Sequence, residues 1–213
     1  FEKLSLSSHS LDIGDSTYPL YRFKVTANGP EGTSLDIYKF TFIVSSSTGS
    51  IARATTTEFE LSVYNDSAFT QPYFTGTGLV NFGACVNTLT NSTNGLKPLF
   101  TGEVAIYPDK TTCNGATTTL PISAGETKYF ELKANVSLVE QVTGTENITV
   151  RLEGDAAYPT ETPADQSGVV VLMAKAATID GDSNDDFIWT PNSTTSASRH
   201  KIDFTNGYNL SGL

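Results

Sequence analysis

Leu20-Tyr21-Arg22-Phe23-Lys24-Val25-Thr26 is the stretch that decides the fold class. Tyr21, Phe23 and Val25 fall on one side of an extended chain; Arg22, Lys24 and Thr26 fall on the other. Successive side chains of a strand point to opposite faces, so this period of two describes a strand with one face on a core. Working outward, the run ends at Asn28-Gly29-Pro30-Glu31-Gly32, a turn signal. Tyr38-Lys39-Phe40-Thr41-Phe42-Ile43-Val44 alternates again, and Phe59-Glu60-Leu61-Ser62-Val63-Tyr64 repeats the pattern until Asn65-Asp66 stops it.

Further along, Gly78-Leu79-Val80-Asn81-Phe82 and the run from Leu99 to Ile106 read as strands, while the polar stretches 87–95 and 109–119 read as loops. Regular alternation returns in Tyr129-Phe130-Glu131-Leu132-Lys133-Ala134-Asn135-Val136 and in Asn147-Ile148-Thr149-Val150-Arg151-Leu152-Glu153. The run from Gly168 to Ala174 is apolar at nearly every position, as a central strand covered on both faces would be. No window carries a capped 3.6-residue period. These features predict an all-β chain: an antiparallel β-sandwich, Ig-like or jelly-roll-like, with roughly ten strands and little helix.

The composition shifts at Ile179. Residues 1–178 are expected to form the sandwich, with a strand-like N-terminal segment over 1–9. Residues 179–213 are expected to form an acidic loop followed by a C-terminal strand or arm. No stretch reaches the roughly 20 apolar residues that span a bilayer, so direct membrane insertion is not expected. Phe1 is not a start methionine, which points to a processed chain or a fragment.

The chain holds 31 Thr and 21 Ser among its 213 residues, and only 17% of it is charged. Hydroxyl and β-branched residues suit a pleated surface, and the balance is that of a secreted or wall-exposed protein. The net charge of −10 repels phosphate backbones, which argues against a nucleic-acid partner. Cys85 and Cys113 are an even pair, read as one disulfide in an extracellular setting. It would close a loop of about 28 residues and contribute roughly 3–4 kcal/mol by loop entropy. The competing reading is two buried thiols.

Three blocks of sequence, in order, resemble one family. The first is Leu20-Tyr21-Arg22-Phe23-Lys24-Val25-Thr26-Ala27 with the strand over 36–44. The second is Gly125-Glu126-Thr127-Lys128-Tyr129-Phe130-Glu131-Leu132-Lys133-Ala134. The third is Asp186-Phe187-Ile188-Trp189-Thr190-Pro191-Asn192-Ser193 with Phe204-Thr205-Asn206-Gly207-Tyr208. Together they resemble Ig-like domains of large surface proteins of candidate-phylum bacteria of the Patescibacteria type. Phe204 stands where that pattern has Trp. The resemblance implies extracellular, wall-associated β-domains and brings no catalytic residues.

Catalytic chemistry finds little to stand on. Nucleophilic catalysis needs a base beside the nucleophile, and the only histidines, His9 and His200, sit in hydroxyl-rich stretches. A glycosidase needs two carboxylates across a cleft, and nothing singles out a pair among 23 acids. Phosphate-binding loops are absent. The chain is therefore expected not to be an enzyme.

The sharpest candidate site is the acidic loop. Asp180, Asp182, Asn184 and Asp186 recur at two-residue intervals, and such oxygen donors suit Ca²⁺. Pro191 stands where an EF-hand would have its Glu, so the loop is not an EF-hand, and a solvated acidic turn is the competing reading. No other cofactor is expected. Sequons at Asn65, Asn91, Asn135, Asn147, Asn192 and Asn209 are candidate glycosylation sites. Tyr73, Phe74, Trp189 and Tyr208 are candidates for a sugar-stacking platform.

The expected function is an extracellular structural subunit or module of a surface layer, filament or pilus-like assembly. Self-association by β-strand addition would use the terminal segments, carried by Phe1, Leu4 and Leu6 at one end and Ile202, Phe204 and Tyr208 at the other. A glycan- or host-binding adhesin module and an accessory domain of a secreted enzyme are the alternatives.

Overall fold

The structure is a computed structural model that describes residues 1–8, 14–47, 54–73, 79–82, 100–106, 119–138, 147–153, 187–190 and 205–206. These residues are all-β, without helix. The strands are β1 (Glu2–Lys3), β2 (Gly14–Thr26), β3 (Ser34–Ser47), β4 (Ala54–Tyr64), β5 (Leu79–Phe82), β6 (Phe100–Ile106), β7 (Leu120–Ser123), β8 (Thr127–Leu138), β9 (Asn147–Glu153), β10 (Phe187–Thr190) and β11 (Thr205–Asn206). Every strand pairing is antiparallel.

The strands form two open sheets. Sheet A has the order β1-β2-β8-β4-β5, and sheet B has the path β11-β10-β3-β6 with β7 and β9 also on β3. In sheet A the alternation read from the sequence holds: Tyr21, Phe23 and Val25 are buried, as are Phe59, Leu61 and Val63 on β4 and Phe130, Leu132, Ala134 and Val136 on β8. Phe23 and Phe130 lie directly opposite each other. Their rings stack at 4.7 Å and 7°. Phe40 of sheet B meets both edge-on, at 5.3 Å and 5.4 Å. Rings of the two sheets therefore share one apolar cluster.

Sheet B is organised around β3. Thr41 faces both Ala105 of β6 and Glu153 of β9, so these two strands take opposite edges. Phe40 faces both Ile106 and Phe187, which puts β10 on the edge of β9. Ile37 faces both Leu120 and Trp189, which puts β7 on the edge of β6. Each edge of β3 is thus covered by two pieces of chain. The break on one side falls at residues 107–119 and on the other at 154–186, both beside residues 38–41 of β3.

A bulge lies at the same level. Ile188 faces Lys39 while Trp189 faces Ile37, so Tyr38 is the extra residue. The extra residue resets the alternation, and Ile37 and Phe40 both point into the core although three positions apart. The opposite face is also covered here, since Lys39 and Thr41 are fully buried.

The outer face of sheet A carries an ionic centre. Glu131 of β8 is 3% exposed and its Oε1 accepts from Arg22 Nε at 2.8 Å and from Nη2. Its Oε2 lies 2.8 Å from Lys133 Nζ. Phe69, in the connection after β4, closes over this face: the Arg22 guanidinium stacks 4.3 Å from its ring, and Tyr64 and Tyr129 flank it. Phe69 has a φ of 58°, a left-handed conformation that bulky side chains rarely adopt.

Candidate functional site: the outer edge of sheet A

β2 has two unequal edges. β8 pairs with it from Gly14 to Thr26. On the other edge β1 covers only the end, with Glu2 facing Lys24, Lys3 facing Phe23, and Leu4 N–H donating to Arg22 O at 2.9 Å. Among the described residues, no strand pairs with that edge over residues 14–21. Unpaired backbone groups along an edge are a template for another strand. Pro19 lies in this stretch, beside a register shift between Pro19 and Tyr21. Its missing N–H interrupts the row without closing it.

β1 is held to this edge by two residues of backbone pairing and by side-chain contacts at its start. The Phe1 ring stacks on Phe23 at 5.5 Å and meets Phe187 edge-on at 5.2 Å. Glu2 Oε2 lies 2.8 Å from Lys24 Nζ, and Lys3 Nζ sits 5.3 Å from the centre of the Tyr21 ring. The hydrogen bond to Glu2 raises the Lys24 ammonium above its ordinary value, outweighing desolvation. An exposed pair of this kind contributes little to stability, so the Phe1 ring is the main anchor. Beyond Leu4 the surface opens into a groove of about 520 Å³. Leu4, Leu6, Leu20 and Val150 give it apolar walls.

The sequence-predicted residues fall in several places. Phe1, Leu4 and Leu6 are brought together at this edge. Thr205–Asn206 pairs with β10, while Ile202, Phe204 and Tyr208 lie outside the described residues. Cys85, Cys113, Asp180, Asp182, Asn184 and Asp186 also lie outside them, as do Asn91, Asn192, Asn209 and the apolar run from Gly168 to Ala174. Among the described residues, no group of three or more His, Cys, Asp or Glu side chains is placed to hold a metal ion.

Of the remaining sequons, Asn65 is exposed at the end of β4, Asn135 is half-buried within β8, and Asn147 begins β9. Tyr73 and Trp189 pack against the core from partly buried positions, so neither stands free as a stacking surface. Phe74 lies outside the described residues.

The sequence reading missed Leu20, Arg22 and Val150 as walls of the groove. Their only signal is that Leu20 breaks the alternation of β2 at its bulge. The edge offers backbone pairing and apolar contact, the chemistry of recognition by an added strand. Compared with protein-family models, curated proteins and solved structures, the chain matches none.

Proposed function

We propose that this chain is a non-enzymatic structural module of an extracellular surface assembly: a layer, filament or pilus-like polymer. Its two antiparallel sheets form an Ig-like β-sandwich, and neighbouring copies join by β-strand addition. The observation that carries this reading is the partial cover of β2, whose outer edge, among the described residues, is paired only near Lys24 while an apolar groove continues beside it. The aromatic contacts between Phe23 and Phe40 support the sandwich. The hydroxyl-rich, acidic composition supports the extracellular setting.

The segment over residues 1–8 is the natural donor. The Phe1 ring is only partly buried, so it stabilises docking by less than the roughly 1.5–3 kcal/mol of a fully buried side chain, a hold weak enough to exchange between copies. After exchange, Phe1 of one copy enters the aromatic cluster of the next, and its Leu4 and Leu6 replace that copy's own beside Leu20 and Val150.

Sedimentation and negative-stain microscopy of the intact chain and of a chain lacking residues 1–8 test the reading. The intact chain is expected to form concentration-dependent polymers, and the truncated chain to stay monomeric. A peptide of residues 1–8 should bind the truncated chain. Equal assembly of both chains would overturn strand addition by this segment. A monomeric intact chain that binds glycans on an array would replace the structural role with an adhesive one.

A further inference from the structure

The end of the β4–β8 ladder gathers three side chains with complementary chemistry. Tyr64 and Tyr129 are the last registered pair of that ladder. One position beyond, Lys128 Nζ donates to Asn65 Oδ1 at 2.8 Å. Lys128 is only 5% exposed, on the side of β8 that carries Phe130 and Leu132. Its Nζ lies 3.4 Å from Glu126 Oε2 and 4.4 Å from the centre of the Tyr73 ring. The Asn65 amide is held from two directions: Nδ2 donates to Pro72 O at 3.5 Å, and the backbone N–H donates to Gln71 O at 2.8 Å. An amine, a carboxamide and a carboxylate thus meet at one point, and the aromatic ring shields the amine from water.

We propose that Lys128 and Asn65 become joined by an intramolecular isopeptide bond, with Glu126 carrying the proton. Glu126 takes one proton from the Lys128 ammonium. The free amine then attacks Asn65 Cγ, so that an Nζ–Cγ bond forms and the Cγ–Nδ2 bond breaks. Glu126 returns that proton to Nδ2, which leaves as ammonia, and the remaining extra proton on Nζ passes to the departing ammonia, which becomes ammonium. One alkylammonium and one carboxamide give one substituted amide and one ammonium ion, with no oxidant and no co-reactant.

Holding the two groups at hydrogen-bond distance replaces a bimolecular encounter and so removes one part of the barrier to this reaction in solution. A hydrogen bond from Ser123 N–H, at 3.2 Å, is the main cause that holds the Glu126 carboxyl below its ordinary value, so it is ionised at neutral pH. Its placement beside Nζ, not its basicity, suits it to take the proton. The product would staple the end of β4 to the start of β8. It would also consume the Asn65 nitrogen that a glycan would need, so the two modifications of Asn65 exclude each other.

Intact-mass measurement and peptide mapping of the folded chain test the proposal. The chain is expected to be lighter by one ammonia than its sequence requires, beyond any disulfide. Digestion should release a branched peptide joining the segments around Asn65 and Lys128. Lys128→Arg and Asn65→Ala should each abolish that peptide. Glu126→Gln should slow its appearance roughly 100-fold or more, the usual worth of a positioned proton carrier. Ammonia lost by ring closure at another asparagine gives the same mass without the branched peptide, and counts against the proposal. Absence of the peptide from the folded wild-type chain after prolonged incubation at neutral pH overturns it, whether or not the variants fold.

Discussion

Sheet A and sheet B solve the same problem in opposite ways. Sheet A lays three long, continuous strands side by side, β2, β8 and β4, with β8 in the middle. Sheet B has one long strand, β3, and covers each of its edges with two separate pieces. Both breaks fall at the level of residues 38–41. The difference teaches what a long central strand makes possible. Once β3 sets the register, the chain can leave an edge and rejoin it further down, because closure entropy rises only about 0.6 kcal/mol for each doubling of loop length. Sheet A supplies continuous ladders; sheet B gathers separate short strands along one long strand.

The strongest way to break this comparison is to remove the contact that joins the two halves. Phe130 stacks on Phe23 within sheet A and meets Phe40 of sheet B. Phe130→Ala should destabilise the chain by about 3–5 kcal/mol, the usual cost of such a cavity, read from urea denaturation. Signals from both sheets should be lost together. If sheet A melted while the Trp189 fluorescence of sheet B held, the shared cluster would not be the common core.

A smaller effect should be confined to sheet A. Glu131 is the buried partner of both Arg22 and Lys133. Glu131→Ala should cost about 1–3 kcal/mol, the range for a lost hydrogen bond to a charged group, and Glu131→Gln less. Lys133 adds a pH signature. Burial works to lower its ammonium, but the hydrogen bond and charge of Glu131 outweigh burial and raise it above 10.5. A raised value in the folded state stabilises fully below the ordinary value, and that contribution is lost as pH rises through the raised one. Urea midpoints across the alkaline range should therefore fall with pH in the wild type, and fall less in Glu131→Gln. Equal slopes would remove Glu131 as the cause.

How much of this was legible depends on the face considered. The inward faces of β2, β4 and β8 can be read directly, because Tyr21, Phe23 and Val25 and their counterparts recur at a period of two. The outward face of sheet A cannot. Glu131 reads as a solvent-facing charge between Phe130 and Leu132, yet it is buried, because a connection seven positions past Ser62 returns Phe69 over it. A loop that folds back leaves no periodic trace. Sheet B is harder again: β6 with β7, and β9 with β10, act as one edge each, but nothing in the alternation says that two distant runs continue each other. At the candidate edge, Phe1, Leu4 and Leu6 stand out as a strand-like segment. Their surroundings, Leu20 and Val150, come from strands of different sheets and are set by how those sheets meet. Lys128 hid for a related reason, since its charge sits on the inward face at the end of a ladder.

Sheet B offers a test of opposite sign. The Thr41 hydroxyl is buried, with no hydrogen-bond partner among the described residues, on the face of β3 away from the shared core. Thr41→Val keeps the branched shape and removes the unmet polar group. It should stabilise the chain by up to about 1 kcal/mol. A loss of stability would mean that the hydroxyl is satisfied by water in solution.

The smallest effect concerns the start of the connection that follows β4 in sheet A. Asp66 orders it: Oδ1 accepts from Gln71 N–H at 2.7 Å and Thr70 N–H at 3.0 Å, and Oδ2 accepts from the Thr70 hydroxyl at 2.8 Å. Desolvation works to raise the Asp66 carboxyl, but these hydrogen bonds together outweigh it and hold it below its ordinary 3.8. A depressed value stabilises above the ordinary one, and the contribution is lost as pH falls through the depressed value. Below pH 3.8, then, the connection should loosen and release Phe69 from its left-handed conformation over Tyr64 and Tyr129. Near-ultraviolet circular dichroism of those tyrosines should change over that acid range while the far-ultraviolet sheet signal persists. Asp66→Asn keeps an acceptor at Oδ1 but carries no charge, so its tyrosine signal should no longer respond to acid. If both proteins respond alike, the order of this connection comes from Phe69 packing on the ionic face and not from the Asp66 hydrogen bonds.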